Sequence, residues 1–378
     1  MGKEESSFKK RLRRKRQLRR IAAVAVIGLI MGLIYFYGNR YAGLESDGLF
    51  YTDGGAAGFP VSLGGDNALR FSETKNNLAL LTDKQMFFYS KNGKRLLANP
   101  HGYSKPSMKT ENGFTVTYDI GGNSFDVYSR AGLLYNKTPA HKILFCEINR
   151  NGYVALAAED ERYEGSVTVF DPSGKEVFKW FSAVEMLVGI SLSKDNKTCA
   201  VVTAGVSGGL IRSSVYGLDF TKEQETFRTI LDNKMALGIS LKDGGGHHVI
   251  YDGGVAALDS SGNILNDTVL GGKLQIFDTS SSTHSLLVVS ADITRNDLVK
   301  IDRNGNTAGR IGFDSTVTAV HQAGGNIVVF CTNDAYLLNR DLEITAEESS
   351  DKLKPFFAAI GKSYYKIGRY GIERLVIK

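Results

Sequence analysis

Cysteine is scarce, with 3 in 378 residues. An odd, thin set builds no disulfide framework. Cys146, Cys199 and Cys331 each sit inside an apolar run (ILFCEI, KTCAVV and IVVFCT), which reads as buried free thiols. No His or Asn partner can be assigned to any of them, so a thiol nucleophile has no support. Proline is also rare, at 6 against 42 glycines, so turns must be made chiefly by glycine. The histidines give no metal set. His101, His141, His284 and His321 lie in separate segments. His247 and His248 are adjacent, and on a strand they point to opposite faces. The DRNGN segment (302–306) has calcium-loop spacing, but such a loop needs Gly next and Glu at its end; Thr307 and Phe313 stand there. DPSGK (171–175) lacks the full phosphate-loop pattern. No catalytic set, metal site or cofactor motif is therefore expected.

Charge is absent from Ile21 to Asn39, directly after the most basic stretch of the chain. Residues 1–20 carry ten Lys/Arg against two Glu, a net of +8. The whole chain is +6, so the remainder is −2. Without a global basic field, the main domain is not expected to bind nucleic acid. A basic nucleic-acid arm is an alternative for the tail alone, opposed by the apolar run that follows without a gap. Arg13, Arg14, Lys15, Arg16, Arg19 and Arg20 abut Ile21–Tyr37. As a helix that run rises about 26 Å. A bilayer core needs about 30 Å, and snorkelling arginines make up the difference. Tyr35, Phe36, Tyr37 and Tyr41 cluster at the far end, where aromatic rings suit headgroups. The reading is a cytoplasmic tail (1–20), a transmembrane signal anchor (21–37), a linker (38–47) and an extracytoplasmic domain (48–378). The chain would then be a single-pass protein of the cell membrane, with its N-terminus inside and the lipid bilayer as one partner. A cleaved signal peptide competes. Cleavage wants a small residue at −3, whereas cuts after Gly38, Ala42 or Gly43 place Phe36, Arg40 or Tyr41 there.

A long helical stripe is missing after residue 44. Apolar runs of five to eight residues recur instead, broken by Gly, Asn, Asp and Ser. One unit repeats: strand, four-residue turn ending in Gly, strand. Its copies are FFYSKNGKRLL (87–97), DVYSRAGLLYN (126–136), VTVFDPSGKEVF (167–178), VAALDSSGNIL (255–265) and LVKIDRNGNTAG (298–309). Asp or Ser at the first turn position accepts backbone amides, and Gly takes the left-handed position. The turn glycines at 93, 132, 174, 262 and 305 are spaced 39, 42, 88 and 43 apart, and 88 is two units. GLDFTKEQETFR (217–228) fills the gap with a longer turn, and AYLLNRDLEIT (335–345) is a weak further copy. MLVGISLSKD (186–195) returns as MALGISLKD (235–243), 49 residues later.

A period near 40 with three or four strands per unit is that of β-propeller blades. Radial repetition buries both faces of each small sheet. Seven units run from residue 68 to near Asp351, and three strands remain at the C-terminus. Residues 48–63 are expected to supply the missing strand and close an eight-bladed, all-β ring. Seven blades result if one weak unit is misread, and two stacked β-sandwiches are the competing architecture. The D-x-x-G hairpins and the FPV segment at 59–61 resemble quinoprotein-like and YVTN-type propeller repeats. Across residues 48–378 the pattern is also similar to an uncharacterised bacterial family of single-pass, membrane-anchored propellers. The resemblance implies fold and topology and no activity. Trp180 is the chain's one Trp, so the tryptophan docking belt of quinoprotein propellers is not expected, nor is their cofactor.

The last segment, 352–378, is basic, with seven Lys/Arg against one Glu. On a strand, Lys362, Tyr364 and Lys366 share one face, opposite Tyr365 and Ile367. With Arg369 they form a possible contact for lipid headgroups or an anionic wall polymer. A solvated edge guarded by lysine is the plainer reading. These features point to a non-enzymatic binding or scaffold module for an envelope protein or polymer. The alternative is an envelope enzyme (lyase, hydrolase or oxidoreductase) working at the axial pocket, which convergent carboxylates or histidines would favour. A third reading gives the basic tail a cytoplasmic partner.

Overall fold

The computed structural model describes residues 50–52, 58–290, 295–323, 325–349, 357–361, 363–368 and 371–377. The chain divides into two units, Met1–Tyr51 and Thr52–Lys378. The expected tail, span and linker lie outside the described residues. No helix among the described residues is long and apolar enough to cross a membrane.

Each repeat folds into a four-stranded sheet. β1 is Phe50–Thr52. Blade 1 holds β2 to β5 (Ala68–Thr74, Asn77–Thr82, Gln85–Ser90, Arg95–Pro100). Blade 2 holds β6 to β9 (Pro106–Glu111, Phe114–Asp119, Phe125–Ser129, Gly132–Lys137). Blade 3 holds β10 to β13 (Ile143–Ile148, Val154–Ala158, Gly165–Phe170, Glu176–Ser182). Blade 4 holds β14 to β17 (Met186–Leu192, Thr198–Ser207, Leu210–Asp219, Phe227–Asp232). Blade 5 holds β18 to β21 (Ala236–Leu241, His247–Tyr251, Gly254–Leu258, Ile264–Val269). Blade 6 holds β22 to β25 (Lys273–Asp278, His284–Ser290, Asn296–Asp302, Thr307–Phe313). Blade 7 holds β26 to β29 (Val317–Ala323, Asn326–Cys331, Asp334–Leu338, Ile344–Ser349). β30, β31 and β32 (Phe357–Ile360, Ser363–Gly368, Gly371–Ile377) join β1 in the order β1-β32-β31-β30.

That last sheet settles the number of blades at eight. The expected N-terminal strand is present, and Val61 and Ile372 exchange backbone hydrogen bonds of 2.8 and 2.9 Å beside it. Phe71, Leu78 and Leu80 of blade 1 share a core with Ile360, Tyr365 and Ile372 of blade 8. The Tyr365 hydroxyl donates to the Lys91 carbonyl at 2.9 Å. Neither seven blades nor two sandwiches fits this pairing.

Burial explains why the second strands stood out as apolar runs. β11 and β19 are buried along their whole length, because a neighbouring blade covers each face. Outer strands such as β13 and β21 alternate between exposed and half-buried positions. Six inner strands carry a bulge near their start, at Leu69, Leu144, Val188, Leu237, Gln275 and Thr318.

The D-x-x-G turns join the third and fourth strands. Asp171 Oδ1 accepts the amides of Ser173 and Lys175, and Asp259 and Asp302 repeat the pattern. Gly174, Gly262 and Gly305 have φ of +82°, +83° and +90°. A second constraint acts on two of them. A Cβ at Gly174 would lie 3.0 Å from the Tyr135 ring of blade 2, and one at Gly262 would lie 2.2 Å from the Phe227 ring of blade 4. Here Tyr and Phe seat one blade on the next. In blade 7 the relation is inverted. Leu342 takes the left-handed position (φ +66°), and its side chain faces Gly309 of blade 6.

Candidate binding face

The hairpin of β15 and β16 is the longest among the described residues, with ten residues in each strand. Gly208 and Gly209, at φ +60° and +82°, make its two-residue turn. β14 accompanies β15 only as far as the Met186–Ala204 pair, and β17 accompanies β16 only to Arg212–Asp232. Residues 205–211 therefore project beyond their own blade. Apolar side chains occupy this end. Val206 is 75% exposed, Val184 78%, Met186 64% and Leu210 57%. Ile211 and Met235 are exposed beside them, and the Asn233 amide donates to the Ile211 carbonyl. On the blade 3 side, the exposed rings of Tyr163 and Phe181 pack at 4.8 Å. Val206 pairs with Ile211 on one face of the hairpin and Leu210 lies on the other, so apolar side chains stand on both faces of its tip, whereas isolated exposed apolar residues would be ordinary.

A buried carboxylate fixes the base of this hairpin. Glu185, 7% exposed, lies in the connection from β13 to β14. It accepts from Ser214 Oγ at 3.0 Å, Tyr216 OH at 3.2 Å and Arg228 at 3.4 Å, and also from Thr203 Oγ1. Gly205 lets β15 pass close by, since a Cβ there would stand 3.2 Å from Glu185 Cγ. Beside the hairpin two cations have carboxylates: Arg212 with Asp232 at 2.8 Å, and Lys234 with Asp267 at 2.6 Å.

The inner strands carry alternating charge. Lys109 of β6 meets Glu147 of β10 at 2.6 Å. Burial holds Glu73 and Glu111 above the usual carboxylate range, and Glu111 adds to the effect on Glu73. Arg150 and Lys194 pull Glu111 back down. Among the described residues no three His, Cys, Asp or Glu side chains stand in metal-holding geometry.

A polar cluster joins blades 5 and 6. Lys242, 1% exposed, donates to the carbonyls of Thr279 (3.3 Å), Ser281 (2.7 Å) and His284 (3.0 Å). Burial pushes its ammonium down to about 7, against Asp278 and Asp243. Lys242→Met removes the shared donor, and partial water access to the turn limits the cost to about 2 kcal/mol. Denaturant titration should show the midpoint falling with the slope unchanged. An unmoved midpoint would mean that the lysine does not tie the two blades together.

Of the basic C-terminal residues, Lys362 and Arg369 lie outside the described residues. Tyr364 is buried at 4%, beside Phe357 at 5.8 Å, and accepts from Asn326 Nδ2 at 3.2 Å. Tyr365 is buried as well, because β31 is an interior strand covered on both faces. Both faces of the strand are therefore covered at Tyr364 and Tyr365. Lys366 is half-buried and lies 3.6 Å from Glu373. Arg13, Arg14, Lys15, Arg16, Arg19 and Arg20 also fall outside the described residues. The three cysteines are free and buried, and burial pushes the Cys199 and Cys331 thiols up to about 12. Trp180 packs against Tyr216 with its ring tilted by 46° at 5.1 Å and donates to Glu225 at 3.1 Å.

Eight four-stranded sheets, closed by a strand from the other end of the domain, make the molecule an eight-bladed β-propeller. Residues 63–376 match a family of unknown function, DUF5711, and the chain belongs to that family. The same fold occurs in BamB from Moraxella catarrhalis (15% identity, TM-score 0.55, covering 82% of this chain and 98% of that one). The C-terminal WD40 domain of Sif2 is similar as well (11%, 0.63, 83% and 96%). So is Chaetomium thermophilum Sqt1, solved bound to the N-terminus of ribosomal protein L10 (12%, 0.54, 83% and 97%). No curated protein matches the sequence.

Proposed function

We propose that this chain is a membrane-anchored, extracytoplasmic propeller that binds a protein partner through the apolar end of blades 3 to 5. The observation that carries this is the group of Val184, Met186, Val206, Leu210, Ile211 and Met235, exposed around a hairpin held rigid by Glu185. An apolar centre with a polar, charge-paired rim has the anatomy of a protein interface. An anionic lipid surface would ask for unpaired cations, and here Arg212 and Lys234 are already matched. BamB and Sqt1 share only the fold, but the Sqt1 complex illustrates a propeller holding a protein segment. The anchoring half of the proposal rests on residues 21–37 and the arginines before them.

Photocrosslinking in intact cells tests the binding reading. A photoreactive residue at Val206 is expected to give one discrete protein adduct. The same group at Glu223, in the turn at the other end of blade 4, should give none. Equal adducts from both positions, or none from Val206, would count against the proposal.

A further inference from the structure

The quasi-repeat lets one crevice be compared from blade to blade. In blade 4 the third and fourth strands pair Tyr216 with Arg228, and the second and third pair Thr203 with Ser214. Glu185 lies two residues before Leu187, the inner-strand partner of Thr203. In blade 3 the corresponding pairs are Thr168 with Lys179 and Ala158 with Ser166. The inner-strand partner of Ala158 is Ile143, so His141 holds the place of Glu185.

Charge is balanced in the neighbouring crevices. Blade 4 closes with Glu185 and Arg228 at 3.4 Å. In blade 5 the same two places hold Lys234 and Asp267, at 2.6 Å with the polarity reversed. In blade 6 Arg310, at the place of Lys179, meets Asp297, at the place of Ser166, at 3.6 Å. Blade 3 has basic groups at both places, His141 and Lys179, and adds Lys137 from blade 2. A cavity of about 380 Å³ opens there, lined by these three and by Ser166 and Thr168, with Leu156 and Phe170 as apolar wall. The Asp160 carboxylate, outside the cavity lining, attracts His141 and Lys179 without an ion pair within 4 Å. Ser166 and Thr168 are 3% and 8% exposed. Lys137 and Lys179 lie over the rings of Phe170 and Phe181 at 5.3 and 5.1 Å. Glu176 also lines the cavity, yet among the described residues neither lysine forms an ion pair within 4 Å with it.

We infer that the crevice between blades 2 and 3 is a binding site for a small organic carboxylate with an apolar body. The ligand's carboxylate takes the role that Glu185 plays internally in blade 4. Ser166 and Lys179 donate to it as Ser214 and Arg228 donate to Glu185, and Thr168 stands in for the Tyr216 hydroxyl. The apolar body lies along Leu156 and Phe170. This inference does not depend on the apolar end of blades 3 to 5 being a protein contact.

The repeat also supplies the test. Hexanoate, benzoate and the neutral hexanamide are titrated into the full-length chain by calorimetry. At least one of the two carboxylates is expected to bind saturably, and the amide at least tenfold more weakly. His141→Glu restores the internal carboxylate, so it should raise the melting temperature and weaken carboxylate binding at least tenfold. Lys179→Gln should weaken binding similarly without raising the melting temperature. Saturable binding by neither carboxylate would overturn the proposal. Undiminished binding by both variants would do the same.

Discussion

Gly262→Ala is expected to destabilise the propeller by about 3 kcal/mol, far more than the same change at Gly271. Both glycines have positive φ, +83° and +70°. An alanine in the left-handed region costs about 1 kcal/mol or slightly more. At Gly271 nothing lies within 4 Å of the new methyl, so that cost is the whole effect. At Gly262 the methyl would meet Phe227 at 2.2 and 2.6 Å. Phe227 packs on the core between blades 4 and 5, so it cannot swing away without leaving that core. Thr229 also donates to the Gly262 carbonyl from the neighbouring blade, and a shift of the turn would break that bond. Thermal melts should separate the two variants by about 3 °C for a domain of this size. Equal shifts would mean that the turn does not bear on the next blade.

Acid is expected to unfold the domain early, with stability falling from about pH 6.5 toward pH 4. Burial pushes His247, His248 and His284 down to about 4 in the fold. An unfolded histidine titrates near 6.5. Between those values the unfolded chain binds more protons, so stability is complete above the unfolded value and is lost as pH falls. The geometry agrees with neutral rings. His248 Nε2 donates to the Arg303 carbonyl at 3.2 Å, which leaves Nδ1 to accept from Ser285 Oγ at 2.9 Å. His247 Nδ1 has no hydrogen-bond partner, so a proton there would be a buried, unsupported charge. Lys242 adds repulsion to His248 and His284. At about 1.4 kcal/mol per pKa unit, the two well-buried rings contribute about 3 kcal/mol each, and the half-exposed His284 less. The combined loss by pH 4 is on the order of 6 kcal/mol. His248→Gln keeps a donor for Arg303 but cannot titrate. Its melting temperature should fall less steeply between pH 6.5 and 4.5 than that of the unchanged chain, and parallel curves would refute the assignment.

Much of the fold could be read from the chain because each blade carries its own turn chemistry. Asp171, Asp259 and Asp302 mark their hairpins through bonds two and four residues away, and such local bonds leave a local signature. The closing strand was legible because β30 to β32 lack a fourth member. Contacts between blades were not legible. Phe227 and Gly262, or Leu342 and Gly309, lie a whole repeat apart, and nothing in either segment names the other. The burial of the strand near the C-terminus was not legible for a related reason. Alternation predicts one wet face, but an interior strand of a blade has none, so Tyr364 and Tyr365 are both buried. The apolar end was hidden because Val206 and Leu210 look like ordinary strand residues. The signal available was length: the runs flanking SGG at 207–209 are longer than any blade needs. His141 was visible as a lone histidine, and its meaning appears only when blade 3 is laid on blade 4.

The affinity of the photocrosslinked partner for the unchanged chain and for Val206→Glu tests the central claim most directly. Val206 is 75% exposed at the tip of the hairpin, so the substitution should leave the melting temperature within about 1 °C. A charge at the centre of an apolar contact should weaken binding at least about a hundredfold. Unchanged affinity, with the fold intact, would contradict the assignment of this end of blades 3 to 5 as the partner's seat.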